Sequence, residues 1–299
     1  MHPVLERRQL SPNVTRLVVE ARRIAEIRQP GQFVIVHRGP GAERIPLTIA
    51  DADPARGTIT LVIQSVGKST EDLVALQPGD AITDIVGPLG RPTELIESGH
   101  AVCVGGGVGT AVVYPIAMGL AARGVRVTSI IGGRSREWVI FEDELRRAGE
   151  VLVCTDDGSY GRPGFVTEAL KDACEAGGID AIYAVGPVPM MRAVAEVTRP
   201  YGIPTIASLN AIMVDGTGMC GGCRVSVGGR TVYACVDGPE FDAHVVDFRE
   251  LADRLTTYRE FEVRALEVAH AARARAQEAD LAASDGACRL DEATAGARA

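Results

Sequence analysis

The sequence predicts an antiparallel β barrel, then an α/β domain built on a parallel sheet, then a small Gly/Cys-rich segment and a C-terminal helix. Three observations predict this order. Short β-branched runs divided by turn dipeptides fill the first hundred residues. Short apolar runs alternating with helical patterns fill the second hundred. Three cysteines and seven glycines then crowd the stretch Gly216–Gly238.

The barrel strands are Val14–Val19, Gln32–His37, Thr58–Gln64 and Asp80–Val86, with turns at Pro30-Gly31, Arg56-Gly57 and Pro78-Gly79. Several short strands at near-regular spacing suit a small antiparallel barrel over residues 1–97. One helix interrupts it: Ser69-Thr70-Glu71-Asp72 resembles a capping box ahead of Leu73, Val74 and Leu76. The character changes between Glu94 and Gly99. Ala101–Val104, Val125–Ile131, Val151–Cys154 and Ala181–Val185 are buried-type strands, with helices at Thr110–Arg123 and Phe165–Ala176 between them. This alternation predicts a parallel sheet covered on both faces over 98–206. Residues 207–248 have few apolar side chains, so something other than a core is expected to hold them. Residues 249–299 carry helical spacing from Phe248 to Asp280 and a small, polar end from Ser284 that is expected to fray.

The chain has 299 residues, 46% hydrophobic and 23% charged, which excludes wholesale disorder, and 7 cysteines are too sparse for a disulfide scaffold. Its 34 glycines exceed the roughly 21 that average usage gives. A net charge of −8 without a basic cluster argues against nucleic acid and anionic membranes as partners. Ala101–Ala122 is uncharged over 22 residues, but its glycines and Pro115 favour a strand, turn and helix over a membrane span. No apolar leader segment stands at the N-terminus, so a cytoplasmic location with reduced thiols is expected.

Three constellations carry chemistry. Asp215, Cys220, Cys223 and Cys235 are spaced x4, x2 and x11, which is plant-type [2Fe–2S] spacing with a carboxylate in first place. Thiolates are soft anionic ligands for iron, and a carboxylate is a harder substitute. Three buried free thiols, or a zinc knuckle, are the alternatives, although a second Cys pair or His pair at zinc spacing is missing. Asp215 alone also suits an ordinary turn before Gly216. Next, Arg44-Ile45-Pro46-Leu47-Thr48 offers backbone amides to a flat ring and a guanidinium to a phosphate, while Gly67, Ser69 and Thr70 open a helix suited to a pyrophosphate. A barrel strand with a surface arginine and a capped helix is the plainer account. Last, Gly105, Gly106, Gly107, Gly109 and Thr110 lie at a strand-to-helix turn where a dinucleotide approaches the backbone, although a packing turn would use the same glycines.

Taken together, these motifs resemble the electron-transfer subunit family of dihydroorotate dehydrogenase, within the ferredoxin–NADP reductase superfamily. Asp215 in place of a first cysteine, and the run Cys235-Val-Asp-Gly-Pro-Glu-Phe-Asp-Ala-His-Val-Val-Asp-Phe248, resemble most the small subunits of NADH-dependent reduced ferredoxin:NADP oxidoreductases. The resemblance covers Met1 to Ala265 and leaves out the tail with Cys288. Ala243 stands where glycine is expected. The resemblance implies that Arg44, Pro46, Leu47 and Thr48 hold FAD with Gly67, Ser69 and Thr70 at its pyrophosphate. It implies that Gly105–Thr110 bind NAD, with NADP left open by Arg134, Ser135 and Arg136 against Glu142. It implies a [2Fe–2S] cluster on Asp215, Cys220, Cys223 and Cys235, and a larger flavoprotein partner subunit that reacts with ferredoxin. An electron-transfer subunit of a dihydroorotate dehydrogenase is the alternative, and a non-catalytic iron–sulfur redox sensor is a further one. Hydride transfer between cofactors needs no acid–base side chain, so no catalytic side chain is expected. Cys103, Cys154 and Cys174 are expected as small core residues.

Overall fold

The computed structural model describes the backbone of residues 1–296 and side chains through residue 278. Cys288 lies outside the described side chains, and the end from Ser284, expected to fray, is helical through Gly296. Two compact units are present, Met1–Thr257 and a second beginning at Tyr258.

The first sheet uses β1 (His2–Ser11), β2 (Val14–Glu20), β3 (Phe33–His37), β4 (Arg44–Asp53), β5 (Thr58–Gln64), β6 (Ala81–Ile82) and β7 (Asp84–Leu89). Its order is β6-β1-β2-β5-β4-β3-β7 and every pairing is antiparallel. Alternate side chains such as Leu17, Val19, Val34, Val36, Ile59, Leu61 and Ile63 point inward and form its core. Helices α1 (Arg22–Ile27) and α2 (Lys68–Val74) cover it. The α2 start differs from the expected capping box. Gly67 is the N-cap, and the Thr70 hydroxyl accepts from the amides of Val66 and Gly67.

The second sheet uses β8 (His100–Gly106), β9 (Arg126–Gly133), β10 (Glu150–Thr155), β11 (Arg162–Pro163), β12 (Ala181–Val185) and β13 (Thr205–Ser208), with the late strand β16 (Glu240–Asp242) at its edge. The order is β11-β10-β9-β8-β12-β13-β16, parallel except at β16. Helices α3 (Gly109–Ala122), α4 (Glu142–Leu145), α5 (Val166–Ala176) and α6 (Val188–Thr198) connect its strands. The uncharged run 101–122 is therefore β8, a turn and α3. Among the described residues no helix is long and apolar enough to cross a membrane. Cys103, Cys154 and Cys174 are buried among aliphatic side chains, and burial, with the nearby Glu240 carboxyl, pushes the Cys103 thiol up to about 12.

Between β13 and β16 lies the hairpin β14 (Arg224–Val227) and β15 (Arg230–Tyr233). The expectation that this segment lacks a core needs correction. Met213, Cys223, Val225, Ala234 and Cys235 are buried in one cluster with Phe33 and Ile35 of β3, and with Phe248 and Leu251 of α7 (Phe248–Leu255). The segment is thus wedged between barrel and α/β sheet, and its own strand β16 extends that sheet. The second unit is α8 (Arg259–Gly296).

Candidate functional site

Strand β4 changes partner along its length. Residues 44–48 pair only with β3, and Ile49–Asp53 pair only with β5. The edge of Arg44–Thr48 opposite β3 is therefore open, while Pro46, Leu47 and Thr48 are half-buried. A half-buried unpaired strand edge presents amide and carbonyl groups that need a partner. A flat heterocycle with donors and acceptors on its rim meets that need. Arg44 is exposed at the start of this edge, and its Nε donates to the carbonyl of Val214 at 3.1 Å.

The start of α2 is mixed. An added Cβ at Gly67 would meet nothing within 4 Å, so backbone there is open to a ligand. Thr70 is spent on its own cap. Ser69 is buried and donates to Glu43 Oε2 at 2.6 Å. A carboxylate thus holds the hydroxyl expected for a pyrophosphate, so Glu43 has to leave Ser69 before that anion binds.

The glycine turn after β8 divides into two kinds of position. At Gly105, Gly106 and Gly109 a Cβ would fall within 2.8 Å of Thr110 Cα, 2.4 Å of Met190 Sδ and 2.3 Å of the Val185 oxygen. These three glycines serve close strand–helix packing. Gly107 differs, with φ +56° and nothing within 4 Å of a would-be Cβ. Gly107 is the position in this turn where a ligand can reach backbone directly. Thr110 is 2% exposed, so its hydroxyl packs beneath the turn. Gly109→Ala is expected to cost about 1–3 kcal/mol by overpacking against a backbone carbonyl. The midpoint of thermal unfolding should fall accordingly; an unchanged midpoint would contradict this packing role.

Beyond β9, Arg134 stacks over Trp138 at 5.9 Å and Arg136 over Tyr160 at 5.1 Å. Glu142 accepts from Tyr160 Oη at 3.0 Å and pairs with Arg146. Its carboxylate is already partnered before any ribose arrives.

The loop 215–223 is shaped by left-handed glycines at Gly216, Gly218 and Gly221. Asp215 turns its carboxylate inward, accepting from the amides of Thr217 at 2.8 Å and Cys220 at 2.7 Å. These bonds hold its carboxyl below the usual range, so it is ionised at neutral pH. Cys223 and Cys235 are buried with their sulfurs 3.2 Å apart, whereas Cys220 is exposed. Burial and the neighbouring Cys223 thiol push Cys235 up to about 12, so ligation there has to displace a proton. Among the described residues no three His, Cys, Asp or Glu side chains converge as a ready metal-holding group. The sequence-predicted set is instead two linked pairs, Cys223 with Cys235 and Asp215 with Cys220. Two ligands of one tetrahedral metal stand about 3.7 Å apart for metal–sulfur bonds of about 2.3 Å. The donor set, three thiols and an ionised carboxylate on a glycine loop, fits an iron–sulfur cluster.

Sequence reasoning missed Phe33 and Ile35 as the floor of this loop, Val214 as the acceptor for Arg44, and Glu43. A backbone carbonyl and a barrel strand carry no distinguishing signal in sequence. Glu43 lies one residue before a motif that already explained itself.

A barrel with an open strand edge, an α/β sheet with a glycine turn, and a thiol-bearing loop between them define a ferredoxin reductase-type electron-transfer oxidoreductase. Residues 210–247 match the model of the iron–sulfur cluster binding domain of dihydroorotate dehydrogenase B. The chain is 42% identical over 262 residues to a dihydroorotate dehydrogenase B (NAD(+)) electron transfer subunit homolog of Thermotoga maritima, covering 88% of this chain and 93% of that one. It is 39% identical over 249 residues to the electron transfer subunit of Bacillus caldolyticus, covering 80% and 95%. A chain in the structure of NADH-dependent reduced ferredoxin-NADP oxidoreductase, studied for flavin-based electron bifurcation, superposes with a TM-score of 0.86 at 41% identity, covering 89% of this chain and 97% of that one. The chain belongs to the family of dihydroorotate dehydrogenase B-type electron-transfer subunits.

Proposed function

We propose that this chain passes electrons between NAD(H), FAD and a [2Fe–2S] cluster to a larger flavoprotein subunit, in ferredoxin:NADP oxidoreduction. The observation that carries the reading is the seating of the Asp215–Cys223 loop on β3 and β4, beside the open edge of Arg44–Thr48. When bound, FAD accepts a hydride's two electrons and releases them singly, and the cluster carries one at a time.

The residues divide the work. Pro46, Leu47 and Thr48 offer the flavin ring a strand edge, and Arg44 and the backbone at Gly67 take its phosphates. Ser69 and Thr70 support that end of α2 once Glu43 has moved. The turn Gly105–Thr110 brings the dinucleotide to backbone at Gly107, with Gly105, Gly106 and Gly109 keeping strand and helix close beneath it. Cys223 and Cys235 hold one iron, and Asp215 and Cys220 hold the other. In this reading residues 1–97, 98–206, 207–248 and 249–299 are the flavin, dinucleotide, cluster and C-terminal segments. Met219, 90% exposed, with Val214 and Val236 half-exposed beside it, gives an apolar rim around the loop. Such a rim on a polar chain suits a protein partner, and we place the larger subunit there. Thiolate ligands that must stay reduced fit the cytoplasm. NAD(H) is the nicotinamide of this reading, with NADP as the rival through Arg134 and Arg136.

Anaerobically isolated protein should hold one FAD and two irons per chain. Zinc without iron would overturn the cluster assignment, and lack of NADH:dye reductase turnover would favour a sensor. The relatives' names support the rival partner, a dehydrogenase acting on dihydroorotate. Co-purification from the native host decides between the two partners.

A further inference from the structure

We propose that Arg44 is a positioning residue that ties the flavin-bearing strand to the cluster loop, so that one guanidinium places both cofactors. The inference rests on the cofactor assignment above and adds a residue-level link between the two sites.

Arg44 and Val214 are 170 residues apart in sequence, yet Arg44 Nε donates to the Val214 carbonyl at 3.1 Å. Val214 is bonded directly to Asp215, so fixing its carbonyl fixes the backbone that aims the Asp215 side chain. Asp215 in turn holds the amide of Cys220 at 2.7 Å. A continuous chain of contacts therefore runs from the start of β4 to two of the proposed ligands.

A second contact supports the same docking. Gly216, at φ +75°, lies so close to β3 and β7 that a Cβ would fall 2.9 Å from Ile35 Cγ1 and 2.6 Å from Leu89 Cδ1. Ile35 pairs with Pro46 in the β3–β4 register. The loop thus rests on the strand next to the proposed flavin edge, and Arg44 pins Val214, the residue that leads into it.

A guanidinium carries five N–H donors in a fixed fork. Nε is committed to Val214, while among the described residues the two terminal amino groups of Arg44 bond no protein acceptor. Those groups suit two oxygens of one phosphate. The same side chain can then hold the FAD phosphate and the loop carbonyl together, which a lysine ammonium cannot do with the same geometry.

The test uses the anaerobic holoprotein and its variants Arg44→Lys and Gly216→Ala. FAD and iron are quantified first. NADH is then mixed rapidly, with flavin bleaching and cluster reduction followed separately, and hydrogen exchange is measured across Val214–Cys220. Gly216→Ala should keep FAD and bleach at the parental rate, but deliver electrons to the cluster about tenfold more slowly or worse, as misplacement of reacting groups does. Arg44→Lys should show the same slowing, faster exchange across Val214–Cys220, and an altered line shape of the reduced cluster in EPR. If Arg44→Lys loses FAD, its loop is compared with FAD-free parent protein, and faster exchange in the variant still supports the tie. Parental cluster reduction with parental loop exchange in Arg44→Lys would overturn the proposal. A parent protein without FAD or iron would instead overturn the cofactor assignment.

Discussion

Cys223→Ser is expected to abolish the cluster and leave the flavin in place. Cys223 is 1% exposed, with its sulfur 3.2 Å from that of Cys235. Serine keeps the size of the side chain and an acceptor for the Cys235 amide, which now meets the Cys223 sulfur at 3.4 Å. The fold therefore survives, while a soft thiolate ligand is exchanged for a hydroxyl that iron holds poorly. Iron should fall from two per chain to none. The proposed flavin edge on Pro46–Thr48 belongs to another strand, so FAD content and bleaching by NADH should persist. Iron kept at the parental level would remove Cys223 from the ligand set. Joint loss of iron and FAD would mean that the loop and the flavin edge form one inseparable site.

Glu240→Gln should remove a pH dependence of stability. Glu240 is half-buried against Gly31 of the barrel and Thr93 of the segment between the sheets, near Cys103 and Tyr183 of β8 and β12. Its only described hydrogen bond comes from the Thr93 hydroxyl at 2.8 Å, and the nearby charge of Glu94 opposes ionisation. Burial pushes its carboxyl up to about 7. The folded chain then binds a proton more tightly than the unfolded one. Stability from this group is complete below about pH 4 and is lost as pH rises through about 7. At pH 8 the charged form costs up to about 3 kcal/mol, at about 1.4 kcal/mol per pH unit of displacement. The glutamine variant keeps an acceptor for Thr93 and carries no charge. It should melt several degrees higher than the parent at pH 8 and coincide with it near pH 4. A constant offset across pH would contradict this account.

The order of barrel, parallel sheet and cluster segment was legible because strands such as Thr58–Gln64 and Ala181–Val185 are apolar on the period that burial requires. Strand β1 was not legible. Its Glu6, Arg7 and Arg8 sit at a partly solvated sheet margin, where charge replaces the apolar signal. Strand β16 is too short for a pattern, and only its pairing with β13 reveals it. In the site, the residue types at Asp215, Cys220, Cys223 and Cys235 announced the chemistry. Their arrangement into two pairs depends on how the glycine loop and hairpin fold back, and the floor made by Phe33 and Ile35 arises from contacts across some 180 residues that no local pattern encodes. The glycine turn shows the same limit. Its sequence marks close approach, but only the structure separates Gly107, open to a ligand, from Gly109, pressed on Val185.

The central claim is that NADH, flavin and cluster form one electron path in this chain. Anaerobic titration of the purified protein with NADH, followed by flavin absorbance and low-temperature EPR, tests it most directly. The account predicts loss of the oxidised flavin band together with the paramagnetic signal of a reduced [2Fe–2S] cluster, and neither change in FAD-free protein. A flavin band that NADH leaves untouched, or bleaching with no cluster signal at any NADH ratio, would contradict it.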